Sequence, residues 1–140
     1  MSVIVAKDKT YLTHVDEGGV KRVIPISCLI RDHTTHPDAH PEDSGGKLYP
    51  QFYQPQPFPV GTWRVTFIER SDDPYTAPVM IGTDAHQLVV CLDGSIVEDW
   101  GYMIHHSVSP TTWGCLNTLA EEDQVWLASI VRLREEVVVL

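Results

Sequence analysis

The residues best suited to chemistry in this chain are one cysteine and a pair of adjacent histidines. His105 and His106 precede Cys115 by ten and nine positions, and Gly114 comes immediately before the cysteine. A thiol attacks as its thiolate, and a nearby imidazole commonly generates that thiolate at neutral pH. Glycine permits an unusual turn that can present backbone N–H groups to a developing oxyanion. The spacing therefore predicts Cys115 as a nucleophile with a histidine as its base.

The other two cysteines have different surroundings. Cys28 and Cys91 lie in apolar runs and are expected to be small buried hydrophobic residues. Three cysteines in 140 residues argue against a disulfide framework. Cys115, which lies among Thr, Trp, Gly and Asn, is the thiol with a reactive context.

A metal site is the competing interpretation of a second histidine-bearing segment. Residues 33–43 hold three histidines, and Asp43 adds a carboxylate. Imidazole and carboxylate are zinc and nickel ligands, but their spacing here fits no strong template. Prolines at positions 37 and 41 oppose a helix that would present these groups on one face. We expect a solvated loop within a long Pro/His-rich connection over residues 31–59, with no metal and no cofactor.

Composition limits the classes of partner. The chain has 43% hydrophobic residues, enough for one domain over residues 1–140. Its formal charge of -9 repels a phosphate backbone and its sequence has no basic patch, so we expect no nucleic-acid partner. No apolar run approaches the roughly 20 residues of a membrane span, so we expect no membrane association.

The N-terminal sequence does not resemble a secretory signal. The apolar run after Met1 is short and is soon interrupted by Lys7. Action on an extracytoplasmic target would then require non-classical export, release by phage lysis or earlier removal of a leader. A secretion or immunity partner is expected in the first of these cases.

The elements that must position the cysteine are mostly strands. Apolar and alternating runs predict strands over residues 3–5, 11–15, 20–30, 60–68, 79–82, 87–92, 100–105 and 137–140. Residues 16–19 (Asp-Glu-Gly-Gly) are a hairpin turn signal. The fold class is therefore mainly β, a sandwich or barrel-like sheet, with one principal helix after the cysteine.

That helix is predicted over residues 118–132. Asn117 or Thr118 is a candidate N-cap, and acidic residues favour the positive end of the helix. The expected apolar face consists of Leu119, Val125, Trp126 and Ile130. A helix start shortly after Cys115 would also stabilise a thiolate.

Several motifs together resemble the YkuD-type L,D-transpeptidase catalytic domain. Ile-His-His-Ser at residues 104–107 stands where that family has a His-Gly strand end, and Thr-Trp-Gly-Cys at 112–115 where it has Ser/Thr-His-Gly-Cys. Pro-Val-Gly-Thr-Trp at 59–63 is similar to the family's strand start, and residues 135–139 to its closing strand. Three departures are the tryptophan at position 113, His106 in place of the glycine after the base, and a short spacer between the base and the cysteine.

The resemblance implies acyl exchange or hydrolysis on peptidoglycan stem peptides. His105 would deprotonate Cys115, and backbone N–H groups near Gly114 would stabilise the oxyanion. Trp113 is expected to shape the substrate pocket, the other tryptophans being core or pocket-wall residues. Possible substrate contacts are His106, Ser107, Thr112 and Asn117, although Ser107 and Thr112 are better suited to closing the turn.

Two other functions stay open at this point. A domain of the same fold could bind cell wall, or serve in a phage or effector particle, without turnover. A metal-binding structural domain built on residues 33–43 is the third possibility.

Overall fold

The protein folds around a closed β-barrel. The computed structural model describes residues 1–30, 56–70, 79–90, 94–108, 112 and 114–140. The elements in chain order are β1 (Ser2–Val5), β2 (Tyr11–Asp16), β3 (Gly19–Ser27), β4 (Gly61–Arg70), β5 (Val79–Thr83), β6 (Gln87–Val90), β7 (Ile96–Asp99), β8 (Met103–His105), β9 (Leu116–Thr118), α1 (Glu121–Ile130) and β10 (Glu136–Val139). Eight strands close the barrel in the order β1-β10-β4-β5-β8-β9-β3-β2, and β6 and β7 form a separate hairpin.

The barrel interior is filled by alternate residues of its strands. Val3 and Val5 of β1 are fully buried, and so are Val137 of β10 and Leu12 of β2. Alternation with a period of two puts such residues on one face of each strand. Burying each side chain of this size contributes about 1.5–3 kcal/mol, which makes the interior the main source of stability.

The two ends of the described chain lie side by side. β1 pairs in parallel with β10, from Ser2 opposite Glu136 to Val5 opposite Val139. β10 also pairs antiparallel with β4, so it is the strand that completes the barrel. The predicted mainly β class with one principal helix is confirmed.

The predicted β2–β3 hairpin is confirmed, whereas other strand boundaries differ. Asp16 pairs with Gly19, whose φ is 102°. The strand predicted over residues 100–105 is wrong in its first half, because Gly101 has a φ of 88° and pairing begins only at Met103. The sequence pattern also missed β7 and β9, which are four and three residues long.

The helix prediction needs three corrections. Thr118 belongs to β9, and α1 begins at Glu121 with Ala120 as its N-cap, without a side-chain cap hydrogen bond. Its buried residues are Gln124 and Leu127, whereas Val125 is 44% exposed. Leu119 is also exposed. β9 pairs with β3 and β8, and this pairing keeps Thr118 in a strand although local propensity favoured the helix.

Parts of the sequence predictions lie outside the described residues. These are the histidine-bearing segment 33–43, most of the 31–59 connection, Cys91 and Trp113. The single-domain assignment stays a prediction. Across the described ranges, no helix has the length and apolar character needed to cross a bilayer.

Candidate active site

The register of two parallel strands brings His105 and Cys115 together. Ile104 of β8 pairs with Leu116 of β9, and His105 pairs with Asn117. Ile104 and Leu116 are both fully buried in the barrel core, so the residues that alternate with them face the other side. Cys115 precedes Leu116 and therefore shares the face of His105. With strands about 4.8 Å apart and a rise of about 3.3 Å per residue, the two Cα atoms are roughly 8 Å apart.

The Cys115 thiol contacts the backbone that leads into β8. Its Sγ atom lies 3.4 Å from the Met103 nitrogen, which donates to it, and 3.6 Å from the Gly101 oxygen, which accepts from it. The side chain is 6% exposed, so water solvates it poorly. Removal of the thiol proton would leave the Met103 N–H bond in place, and hydrogen bonds to the charged form stabilise it. The sequence pattern did not predict these two backbone partners.

Thr112 closes the turn before the cysteine. Its Oγ1 donates to the Cys115 carbonyl oxygen at 3.0 Å and accepts from the Gly114 N–H at 3.2 Å. Its own N–H donates to the Leu29 carbonyl oxygen at 2.8 Å, which ties the turn to the segment that follows β3. Thr112 is therefore a structural residue of the turn. Because the Gly114 N–H is already bonded to Thr112, it does not point at open space in this state.

Gly114 is enclosed on the side where a Cβ atom would point. A Cβ there would lie 2.4 Å from the Gln56 carbonyl oxygen and 2.8 Å from Cε1 of Tyr102. Its φ of 116° is also one that side-chain-bearing residues rarely adopt. Both the backbone angle and the space thus require glycine next to the nucleophile.

Tyr102 forms the floor beneath this turn. It is fully buried, and its hydroxyl donates to Asp99 Oδ2 at 2.5 Å and accepts from Gln87 Nε2 at 2.7 Å. The ring of Phe58 packs edge-on against it at a centroid distance of 5.5 Å. A satisfied buried network of this kind rigidifies its surroundings. No periodic pattern along the chain indicated that Tyr102 and Asp99 would meet.

Three of the possible substrate contacts take part in hydrogen bonds that hold the segment after β8, and their role toward a substrate stays a prediction. The Asn117 Oδ1 atom accepts from the Ser107 N–H at 2.7 Å, and Asn117 is 5% exposed. The Nδ1 atom of His106 lies 2.6 Å from the Thr118 carbonyl oxygen. These bonds lock residues 106–107 against β9, which fixes the strand end that carries His105.

Gln124 connects the helix to the same strand. It is fully buried, and its Nε2 atom donates to the Ile104 and Val79 carbonyl oxygens, each at 3.0 Å. Its Oε1 atom accepts from Thr118 Oγ1 at 3.0 Å. Its three partners lie in β8, β5 and β9, so Gln124 links α1 to these strands.

The helix does not act on the thiol as expected from the sequence. Three β9 residues separate Cys115 from the turn into α1, and three strand residues advance about 10 Å. The dipole effect falls off within the first turn of a helix. The Met103 N–H, which donates to the Cys115 Sγ atom, is therefore the nearer source of stabilisation for a thiolate.

Cys28 is another residue that the sequence placed wrongly. It lies beyond the end of β3, is half-buried, and its Sγ atom donates to the Gly114 carbonyl oxygen at 3.5 Å. The Cys28 thiol thus supports the turn that precedes Cys115. Within the described ranges, no three His, Cys, Asp or Glu side chains form a group able to hold a metal ion.

Solved structures provide the comparison for this arrangement. No family model and no curated protein matches the chain. The L,D-transpeptidase (residues 123–326) from Xylanimonas cellulosilytica DSM 15894 matches with 18% identity and a TM-score of 0.57, over 99% of this chain and 59% of its own. Mycobacterium tuberculosis L,D-transpeptidase 1 matches with 16% identity and a TM-score of 0.52, over 99% and 60%.

A third neighbour is an L,D-transpeptidase solved in complex with imipenem, with 15% identity and a TM-score of 0.53, over 99% of this chain and 58% of its own. The chain thus spans about 60% of the length of the structures that it matches. Structural similarity at identities this low establishes the fold, and the chemistry of the site depends on the residues of this chain. The resemblance drawn from the sequence motifs is confirmed at this level: the chain has the fold of the YkuD-type L,D-transpeptidase catalytic domain, as a divergent example of it.

Proposed function

We propose that the protein catalyses cysteine-dependent acyl transfer or hydrolysis on peptidoglycan stem peptides. The observation that carries the proposal is the β8–β9 register, from which we infer that His105 and Cys115, the residue before β9, share one face. A nucleophile and a base so placed suit covalent catalysis at an acyl carbon. The L,D-transpeptidase neighbours support this substrate class.

The first half-reaction forms a thioester. His105 takes the thiol proton, and the Cys115 thiolate attacks the carbonyl carbon of the scissile amide to give a tetrahedral oxyanion. The backbone N–H of Cys115 stabilises this oxyanion, and the Gly114 N–H contributes only if it leaves Thr112. Collapse breaks the C–N bond, and the protonated His105 returns its proton to the leaving amine.

The second half-reaction releases the acyl group. An amine acceptor that attacks the thioester gives transpeptidation, and water gives carboxypeptidase action. His105 accepts the proton of the attacking group, and the thiolate leaves. We place this reaction in the periplasm or cell wall, where peptidoglycan lies. Export and any immunity partner stay proposals that follow from this location.

Two assays test the thiol directly. Wild-type protein and a Cys115→Ala variant are incubated with imipenem, whose strained amide acylates nucleophiles, and intact masses are measured. We expect one adduct on the wild type and none on the variant. In parallel, tetrapeptide muropeptides should lose D-alanine, or exchange it for another D-amino acid, only with the wild type.

Adjacent histidines provide a matched control for the base. His105→Asn should lower kcat about 10²–10⁴-fold, the usual contribution of a general base. His106→Asn keeps an N–H that can reach the Thr118 carbonyl oxygen, and should stay within threefold of wild type. Equal losses in both variants would refute the assignment of His105. No adduct and no turnover with the wild type would instead favour a non-catalytic wall-binding or effector module of the same fold.

A further inference from the structure

Three aromatic rings contact one another around His86, with Trp100 stacked on it and Trp63 edge-on to it. The His86 ring lies 4.3 Å from the Trp100 ring with an interplanar angle of 24°, and 5.2 Å from the Trp63 ring with an angle of 62°. These three residues are called the aromatic stack here. Gln87 pairs with Asp99 in the β6–β7 hairpin, so His86 and Trp100 are the next cross-strand pair. The acyl-transfer mechanism uses none of the three.

Hydrogen bonds fix the two inner rings. The Trp63 Nε1–H donates to the Pro59 carbonyl oxygen at 2.9 Å. His86 Nδ1 lies 3.0 Å from the Asp84 carbonyl oxygen, and His86 Nε2 lies 3.6 Å from Glu98 Oε1. The rings are therefore oriented before any ligand arrives, which reduces the entropy lost on binding.

Trp100 carries the outer ring of the stack and lies in the chain between two buried residues. Trp100 is 47% exposed, although Asp99 before it and Tyr102 after Gly101 are fully buried and hydrogen-bonded to each other. His86 covers one face of the indole, which leaves the exposed surface on the other side and along the edge. The carbonyl of the next residue, Gly101, contacts the Cys115 thiol at 3.6 Å. The backbone immediately after Trp100 thus contacts the candidate nucleophile.

We propose that the aromatic stack is a subsite for a saccharide ring, such as an N-acetylated amino sugar of a peptidoglycan glycan strand. The choice of glycan rests on the proposed function. A pyranose has a face of C–H groups and a rim of hydroxyls, which matches a flat indole with polar groups at its edge. Trp100 supplies rigid apolar area with few rotatable bonds. The half-exposed Glu98 carboxylate beside His86 can accept hydrogen bonds from sugar hydroxyls.

Two other occupants fit the chemistry less well. A nucleic-acid base also stacks on indole, but a chain of net charge -9 repels the phosphates attached to it. A second copy of the chain would cover the exposed Leu88, Val90 and Ile96 of the hairpin. It would also bury Glu98, which pairs with Leu88 on that face, at a high desolvation cost.

A titration tests binding without turnover. Cys115→Ala protein is titrated with chitotetraose while the indole N–H resonances are followed by NMR. We expect saturable movement of the Trp100 resonance, assigned by its absence in Trp100→Phe. Trp100→Ala should weaken binding at least tenfold, and Trp100→Phe and Leu88→Ala less than threefold. Thermal unfolding of each variant verifies its fold.

Turnover separates this proposal from the proposed function. Trp100→Ala should raise KM for a disaccharide-tetrapeptide at least fivefold and leave KM for the free tetrapeptide unchanged. If neither substrate is turned over by the wild type, the proposed function fails, and the titration alone decides the sugar site. Absence of chitotetraose binding, or equal binding by Trp100→Ala, overturns the sugar site. A concentration-dependent dimer that Trp100→Ala abolishes also overturns it, in favour of self-association.

Discussion

Replacing Gly114 by alanine tests the enclosure of the turn that carries the nucleophile. The φ of 116° strains any side-chain-bearing residue, at a cost of about 1–2 kcal/mol. The new Cβ would also meet a backbone oxygen at 2.4 Å and the Tyr102 ring at 2.8 Å. The backbone oxygen belongs to Gln56 and cannot rotate away as a side chain would. Overpacking of a rigid site costs about 1–3 kcal/mol more.

The expected loss in the free energy of unfolding is therefore about 2–5 kcal/mol, a large part of the roughly 5–15 kcal/mol typical of a domain. Urea unfolding followed by tryptophan fluorescence measures it. Gly94→Ala is the matched control, because Gly94 has a φ of 84° but nothing within 4 Å of its Cβ position. Both substitutions reduce unfolded-state entropy equally, so this contribution cancels in the comparison.

The difference in unfolding free energy between Gly114→Ala and Gly94→Ala measures the cost of the Cβ clash at position 114. We expect Gly114→Ala to be less stable than Gly94→Ala by about 1–3 kcal/mol. It should also lose most imipenem acylation, because Cys115 moves with the turn, whereas Gly94→Ala should keep it. Equal stabilities within about 0.5 kcal/mol would refute the reasoning, since the Cβ would then have found space.

Two further predictions concern buried polar groups. Gln124→Met leaves the Ile104 and Val79 carbonyl oxygens without this donor, and should lower the free energy of urea unfolding by about 1–3 kcal/mol; an unchanged midpoint would contradict the role of the amide. Burial raises the pKa of Glu135, and His14 at 3.2 Å partly offsets this rise. Protonated Glu135 therefore stabilises the folded state, fully below the ordinary carboxyl pKa of 4.5, and this stabilisation is lost as pH rises through the folded-state pKa. Glu135→Gln lacks this titration, so the free energy of urea unfolding of the wild type should fall relative to that of the variant between pH 4 and pH 7. A stability difference that does not change with pH would contradict the raised pKa of Glu135.

Local patterns predicted the parts of the fold that depend on neighbouring residues. Alternating valines and the Asp-Glu-Gly-Gly turn specified β1, β2 and the β2–β3 hairpin, because period-two burial and turn chemistry are encoded within a few residues. β9 escaped prediction because it is three residues long and its stability comes from pairing with β3 and β8. The helix start was misplaced for the same reason, since Thr118 has strong cap propensity but bonds to Gln124 instead.

The residue types of the candidate site could be proposed from the sequence, and their roles stay predictions, whereas the contacts that support them could not be foreseen. Cys115 and His105 were distinguished by their spacing and neighbours. The Met103 N–H, the Cys28 thiol and the Tyr102 floor reach the turn from positions 12 to 87 residues away in the chain, counted from Cys115. Such long-range contacts leave no periodic trace in one sequence.

The parallel pairing of β1 with β10 has a consequence for folding kinetics. Ser2 and Glu136 are adjacent in the sheet but 134 positions apart in the chain, and such non-local contacts slow folding. Because β10 completes the barrel, the core facing β1 and β4 stays open until residue 139 has left the ribosome. The thiol turn is made of residues synthesised earlier, yet it acquires its rigid surroundings only with that last strand. Nascent chains should therefore stay unreactive toward imipenem until β10 has left the ribosome.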